Sequence, residues 1–378
     1  MKKIKKLSLA IIIAVLVIFS ACSKSVDKTV NTQQAEPTIA SEGSQDENSL
    51  IPSSNPTPNQ LPSPTPAPTP SSTPTQDPGG EQAAYNELKL EGPYESIADM
   101  SNAYMRSVEI IEDCPANVMV KKADVAYGTV VHNTYESKTT GLIRGVNIVL
   151  PPNYDESKKY PVVYLLHGIF GNEHSMLDGN NKLIEISANL AAEGKAKEMI
   201  IVLPDMFAKT DANQQPALNQ ESMLVYDNFI NDLTNDLMPF IEENYSVLTG
   251  RENQAIAGFS MGGREALYIG FTRPDLFGYV LAIAPAPGLT PGTDWAMAHP
   301  GQMQEDDLKI KNINDTPYLI MLCSGTNDSV VGTFPKSYHN IMEKNEVNHI
   351  WYEINGANHD NRAIRSGLYN FFRYIFQA

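Results

Sequence analysis

From residue 125 onward the chain alternates short, almost wholly apolar runs with longer stretches of helical periodicity. Apolar runs over 125–131 and 145–150 predict two strands, the second ending at Pro151-Pro152. Six more follow at 160–166, 199–203, 255–259, 279–284, 318–323 and 349–354. These six are rich in β-branched and aromatic residues and show little polar alternation, the pattern of strands covered on both faces. Between them, 228–245 sets Ile230, Leu233, Leu237 and Ile241 on one face of a helix, with Pro239 expected to kink it or restart a second segment. A helix is also predicted over 263–269. Strand and helix in alternation predict βαβ units, and so a mainly parallel central sheet with helices on both faces. Upstream, 83–118 predicts one or two short helices, including 94–111, with no evident place in the core.

The first eighty residues follow another pattern. Met1-Lys2-Lys3-Ile4-Lys5-Lys6 is a basic start to an apolar run over 7–19, too short for a comfortable membrane span. It closes on Phe19-Ser20-Ala21-Cys22. This resembles a bacterial lipobox, although Phe19 stands where Leu is more usual. The resemblance implies that 1–22 is a lipoprotein signal peptide, that Cys22 is lipidated, and that the protein is extracytoplasmic, anchored on the outer face of the bacterial cell membrane. From 23 to 80 there is no aromatic residue, and ten of the thirty residues 51–80 are proline, which predicts a disordered Pro/Ser/Thr-rich linker. At about 3.1 Å per residue those thirty residues would reach on the order of 90 Å. One domain over 81–378 then remains, with 81–118 as its helical N-terminal extension.

Charge narrows the partners. A formal net charge of -16 argues against nucleic acid and against an anionic membrane surface, leaving the lipid anchor as the expected membrane contact. Besides Cys22 the chain holds Cys114 and Cys323, which in an exported protein could form a disulfide; equally, Cys323 lies in a predicted buried strand and fits a small core residue. Neither has metal-ligand spacing, and no cofactor or metal is expected.

The candidate chemistry begins at Gly258-Phe259-Ser260-Met261-Gly262, a G-x-S-x-G elbow that follows a predicted strand and precedes a predicted helix. So sharp a turn forces the serine into the open. Ser260 as nucleophile needs a base and a carboxylate to orient that base. In an α/β-hydrolase fold the order is Ser, then acid, then His, on loops at the carboxyl ends of strands. Among the later histidines, His339 sits in a helical pattern and His349 begins a strand. His359, in Gly356-Ala357-Asn358-His359-Asp360, follows the last strand directly. By the same test Asp328 follows the strand over 318–323, whereas Asp315 precedes it at the wrong edge of the sheet. The oxyanion donors expected are the backbone N-H groups of Met261 and Ile169, the latter in the glycine-rich turn Leu166-His167-Gly168-Ile169-Phe170-Gly171. His167 is expected to be structural. Phe170, Met206, Phe207 and Trp295 are candidates for an aromatic acyl pocket.

Taken together, Tyr164 to Ile169, Ile256 to Gly263, Gly325-Thr326-Asn327-Asp328-Ser329, Gly356 to Asp360 and Gly367-Leu368-Tyr369-Asn370-Phe371-Phe372 resemble the feruloyl esterases of carbohydrate esterase family one. The resemblance runs from about residue 124 to the C-terminus. It implies release of hydroxycinnamates from feruloylated arabinoxylan by a metal-free serine mechanism, with Ser260, Asp328 and His359 on the family's triad positions. The loop 285–307 looks individual to this chain, which leaves open an acetylxylan esterase, another carboxylesterase or an acyltransferase of the same fold. A glycan-binding surface protein without catalysis is the reading from another class. The oligomeric state is left open.

Overall fold

The computed structural model describes residues 93–377. The leader, Cys22, the linker and 81–92 lie outside the described residues. Strands β1 (Thr129–Ser137) and β2 (Leu142–Leu150) form an antiparallel hairpin, followed by β3 (Val162–Leu166) and β4 (Ile200–Pro204). Then come β5 (Gln254–Phe259), β6 (Tyr279–Ile283), a small pair β7 (Gly292–Thr293) and β8 (Ala298–His299), and β9 (Leu319–Gly325) and β10 (Ile350–Ile354). The helices are α1 (Ile97–Ser107), α2 (Leu183–Ala192), α3 (Gln220–Asp227), α4 (Phe229–Asp232), α5 (Met238–Asn244), α6 (Met261–Thr272), α7 (Phe334–Lys344) and α8 (Asn361–Phe372).

Eight strands make one sheet in the order β1-β2-β4-β3-β5-β6-β9-β10. From β4 to β10 every pairing is parallel, and β2 joins this block antiparallel to β4. The apolar runs explain the layering, because successive side chains point to opposite faces. In β5, Ile256 enters one core with α3 to α7, while Ala255 and Ala257 enter the other with α1, α2 and α8. Strand β3 divides likewise, Val162, Tyr164 and Leu166 against Val163 and Leu165. The expected doubly covered, mainly parallel sheet is the observed one.

Three expectations need correction. The first strand lies at 129–137 rather than 125–131, because its register against β2 runs from Thr129–Leu150 to Ser137–Leu142 and so extends the hairpin beyond the apolar run. The helix over 228–245 runs unbroken from 229 to 244 and restarts as a second α segment at Met238-Pro239 as expected, but Leu233–Leu237 between α4 and α5 is a π segment, which was not expected. Pro239 falls in the first turn of α5, where a missing N-H costs nothing, and Leu233, Leu237 and Ile241 are buried as expected. The segment before 118 belongs to the core after all. Ser96 accepts a hydrogen bond from Asp99 N at 3.1 Å and so caps α1. Tyr104, Met105, Cys114 and Val118 then join the core to which α2 and α8 contribute. Cys114 and Cys323 are both buried and unpaired with each other, so the disulfide does not form and the core-residue alternative holds for Cys323.

Candidate active site

In a parallel sheet the carboxyl ends of all strands lie along one edge, and the loops after β3, β5, β9 and β10 carry the residues singled out above. After β5 the chain turns through Ser260 at φ 58 and ψ -117, a conformation that strains any side chain bearing a Cβ. The surroundings hold it there. Ser260 N donates to Ile283 O at 2.9 Å, and Ser260 O accepts from Arg264 N and Ala286 N, each at 3.0 Å. The turn needs glycine at 258, because a Cβ there would come within 2.1 Å of Gly262 O.

Asp328 lies in the loop just after β9. Its Oδ1 accepts from the amides of Val330 and Val331 at 3.0 and 3.2 Å, which fixes the carboxylate and leaves Oδ2 to pair with His359 Nδ1 at 2.7 Å. The loop after β10 is tied to the acid's loop through Asn327 N to Ala357 O at 3.0 Å and Gly356 N to Thr326 Oγ1 at 2.8 Å. With Nδ1 committed to the carboxylate, Nε2 is the ring nitrogen left for proton transfer. The imidazole packs against Phe259, centroids 4.4 Å apart and rings tilted by 32°, and so lies against the residue preceding Ser260. Asp360, next in sequence, caps α8 by accepting from Arg362 N at 2.9 Å.

The turn after β3 completes the site. A Cβ on Gly168 would lie 3.4 Å from Ser260 Cβ, so this turn passes directly beside the serine. Phe170, at φ 64, donates its amide to Tyr226 Oη at 3.1 Å. That contact orients the turn on either side of it, including Ile169. Met261 stands in the first turn of α6, where amides have no intrahelical acceptor. Both expected oxyanion donors therefore sit on the two segments that meet at Ser260.

His167 is buried, with its Nδ1 2.7 Å from Gly168 O and its Nε2 accepting from Met206 N at 2.9 Å. Both ring nitrogens are used in holding the turn. The four aromatic-pocket candidates do not stay together. Met206 and Phe207 are core residues, 0% and 3% exposed, with Phe207 packed on Tyr226. They are filler behind the site, and their assignment to an open pocket is corrected. Phe170 and Trp295 are exposed at 42% and 50%, Phe170 on the turn beside Ser260 and Trp295 between β7 and β8. Asp315 precedes β9, and His339 pairs with His349 at 2.8 Å, away from the triad.

Two buried polar clusters escaped the sequence. Arg144 pairs with Asp232 at 3.1 Å and donates to the carbonyls of Phe207 and Asp205, while Tyr135 Oη donates to Asp232. This ties the β1-β2 hairpin to the loop after β4 on which His167 rests. Behind the serine, Arg264 pairs with Asp227 and Glu265, and Gln302 Nε2 donates to both Glu265 oxygens at 3.0 and 2.9 Å. Charged residues inside an apolar pattern were the available signal, but apart from the adjacent Arg264 and Glu265 the pairing is distant: Asp227 and Gln302 each lie 37 residues from their partner on α6.

A family profile described as "Putative esterase" matches residues 137–366. Among solved structures, a CE1 ferulic acid esterase from Anaeromyces mucronatus, determined with ferulic acid, is 49% identical, with a TM-score of 0.69 over 72% of this chain and 99% of that one. An endo-1,4-beta-xylanase/feruloyl esterase of Xylanibacter ruminicola is 32% identical over 164 residues, 42% of this chain and 22% of that protein. An endo-1,4-beta-xylanase Y of Acetivibrio thermocellus is 27% identical over 42% of this chain and 14% of its own length, so the chain spans less than a quarter of these curated relatives. With the profile covering most of the described residues, and a serine elbow, an acid and a histidine in the expected order along one sheet edge, the chain belongs to the esterase family and has the α/β-hydrolase fold.

Proposed function

We propose that this protein is a serine feruloyl esterase that releases hydroxycinnamates from feruloylated plant cell-wall polysaccharide. The observation carrying the reading is the Asp328-bound imidazole of His359 packed against Phe259, the residue before a serine held at positive φ. In the mechanism this supports, His359 Nε2 takes the Ser260 proton as Oγ attacks the ester carbonyl. The N-H groups of Met261 and Ile169 stabilise the oxyanion. His359 then returns the proton to the departing sugar alcohol, and water, activated by the same nitrogen, hydrolyses the acyl-enzyme. Asp328 keeps the imidazole in the tautomer this requires. The 49% identical ferulic acid esterase supports an aromatic acyl group, for which Phe170 and Trp295 are the exposed aromatic side chains on offer. Lipid anchoring through Cys22, with the catalytic unit held off the cell surface by the linker, belongs to the same proposal.

The test compares methyl ferulate, acetylated xylan and short nitrophenyl esters as substrates of the wild type and of Ser260→Ala. Methyl ferulate should be the preferred substrate, and Ser260→Ala should lose turnover of all three with an unchanged circular dichroism spectrum. Preference for acetylated xylan would overturn the acyl assignment; activity retained by a clean Ser260→Ala preparation would overturn the mechanism.

A further inference from the structure

Away from the serine, the loop that leaves the oxyanion turn runs through Glu173 and His174 and meets the sheet edge at β1 and β2. There His132 of β1 joins them, and one ligand-type atom from each of His132, Glu173 and His174 lies within 4.8 Å of the other two. Among the described residues this is the one such group. Asn147 of β2 stands behind both rings: its Oδ1 is 3.1 Å from His132 Nδ1, and its Nδ2 is 2.9 Å from His174 Nδ1 and 3.0 Å from Glu173 O. The rings are stacked, with centroids 5.4 Å apart, and His174 Nε2 is 3.3 Å from Glu173 Oε1. Glycine at 145 leaves the carboxylate its place, since a Cβ there would come within 2.7 Å of Glu173 Oε1.

We propose that His132, Glu173 and His174 form a binding site for a zinc-class divalent cation that pins the oxyanion loop to the β1-β2 edge. Two imidazoles and one carboxylate match the donor preference of zinc and its neighbours rather than of calcium or magnesium, which take oxygen ligands. Tetrahedral zinc at about 2.0–2.1 Å from each ligand sets its ligand atoms about 3.4 Å apart, so the Glu173–His174 pair already has the spacing and His132 needs a short approach. Coordination through Nε2 requires the Nδ1-H tautomer of both rings. His132 has it when Asn147 Oδ1 is its acceptor. His174 as it stands accepts from Asn147 Nδ2 at Nδ1 and so carries its proton on Nε2; to coordinate through Nε2 it passes that proton to Nδ1 and its exposed ring turns, so that Nδ1-H leaves the Asn147 amide for solvent while Asn147 Nδ2 keeps Glu173 O as acceptor. Asn147 Oδ1 is then the outer acceptor that orients His132, the kind of partner metal-bound histidines use. The fourth position faces solvent, since His132 and His174 are exposed.

The proposal is tested by titrating the full chain with zinc in a calorimeter and by following its melting temperature with and without zinc. One equivalent should bind at this site. His132→Ala and His174→Ala should each weaken binding at least tenfold and abolish the zinc-dependent rise in Tm, with metal-free spectra unchanged. His339→Ala, which removes a partner of the other histidine pair, should leave both readings as in the wild type. Zinc affinity unchanged in both site variants would overturn the proposal. So would magnesium or calcium binding as tightly as zinc, or no zinc binding by the wild type at millimolar concentration.

Discussion

Ser260 holds φ 58 because three backbone hydrogen bonds to β6, α6 and the loop beyond β6 leave it no other course. Strain of this kind costs roughly 1–3 kcal/mol and persists only where the surroundings over-determine it. Gly258→Ala attacks that over-determination, since its Cβ would meet a backbone oxygen, which cannot swing aside as a side chain can. We expect this variant to melt at least 5 °C lower or fail to accumulate, whereas Ser260→Ala should fold normally. Asp328→Asn tests the other half of the site. The asparagine oxygen can still receive both loop amides, which puts its NH2 where Oδ2 stood; it then offers an N-H to His359 and so favours the wrong tautomer. Steady-state kinetics should show kcat reduced on the order of 10⁴-fold with KM little changed. Ser260, Asp328 and His359 were legible because each follows a strand in a fixed order. Met206 and Phe207 were misread because hydrophobicity alone does not say whether a side chain faces a cleft or a core.

Helix α6 does two jobs at once. Its first turn meets the serine, and its second carries Arg264 and Glu265 into an interior with Gln302 and Asp227. Burial holds the Glu265 carboxyl above its ordinary range, with Arg264 and Gln302 acting in the opposite sense. A carboxyl raised in the folded state favours folding most fully below its unfolded value, and that contribution is lost as pH climbs through the folded one. Removing the guanidinium exaggerates this. Arg264→Met should therefore cost about 3–5 kcal/mol near pH 8, the usual result of stranding a buried charge, and visibly less at pH 5, nearer to where Glu265 takes up its proton. Denaturant melts at the two pH values check it, and equal losses would count against the assignment. The amphipathic rows of the helices were readable from spacing. The π segment was not, because one extra residue in a turn leaves the apolar stripe almost unchanged. The breadth of β1 was hidden as well, since its alternating exposed residues look like a loop in composition.

Across the molecule, the segment 97–118 acts as a strap over the C-terminal helix. Ser101 Oγ donates to Pro317 O at 2.6 Å, and Tyr104 Oη donates to Tyr374 O. Asn370 of α8 receives Ile111 N at 2.9 Å and donates to Ile111 O at 2.8 Å, satisfying both backbone groups of one strap residue. Asn370→Ala leaves them without partners and should cost about 1–3 kcal/mol, read from chemical denaturation. The strap also carries Cys114 into the core, while Cys323 lies within the sheet; burial pushes both thiols up to about 12. Raised in this way, they stay protonated when folded and supply a stability contribution that is complete below about pH 9 and is lost as pH climbs towards 12. Neither should react with a thiol reagent at pH 8 until the protein is unfolded. The layered sheet could be read from the sequence because its period is local. The strap could not, because its partners lie more than two hundred residues downstream.

That separation has a consequence for how the protein is made. The segment after the first described helix leaves the ribosome long before residues 361–372, yet Ile111 and Glu112 find their hydrogen-bond partners in Asn370 and Ser366 of α8. Docking of this segment therefore waits on α8, and 97–118 stays open in a nascent chain until residues 361–372 have emerged. A chain ending before residue 361 should leave 97–118 open to protease digestion that the finished protein resists.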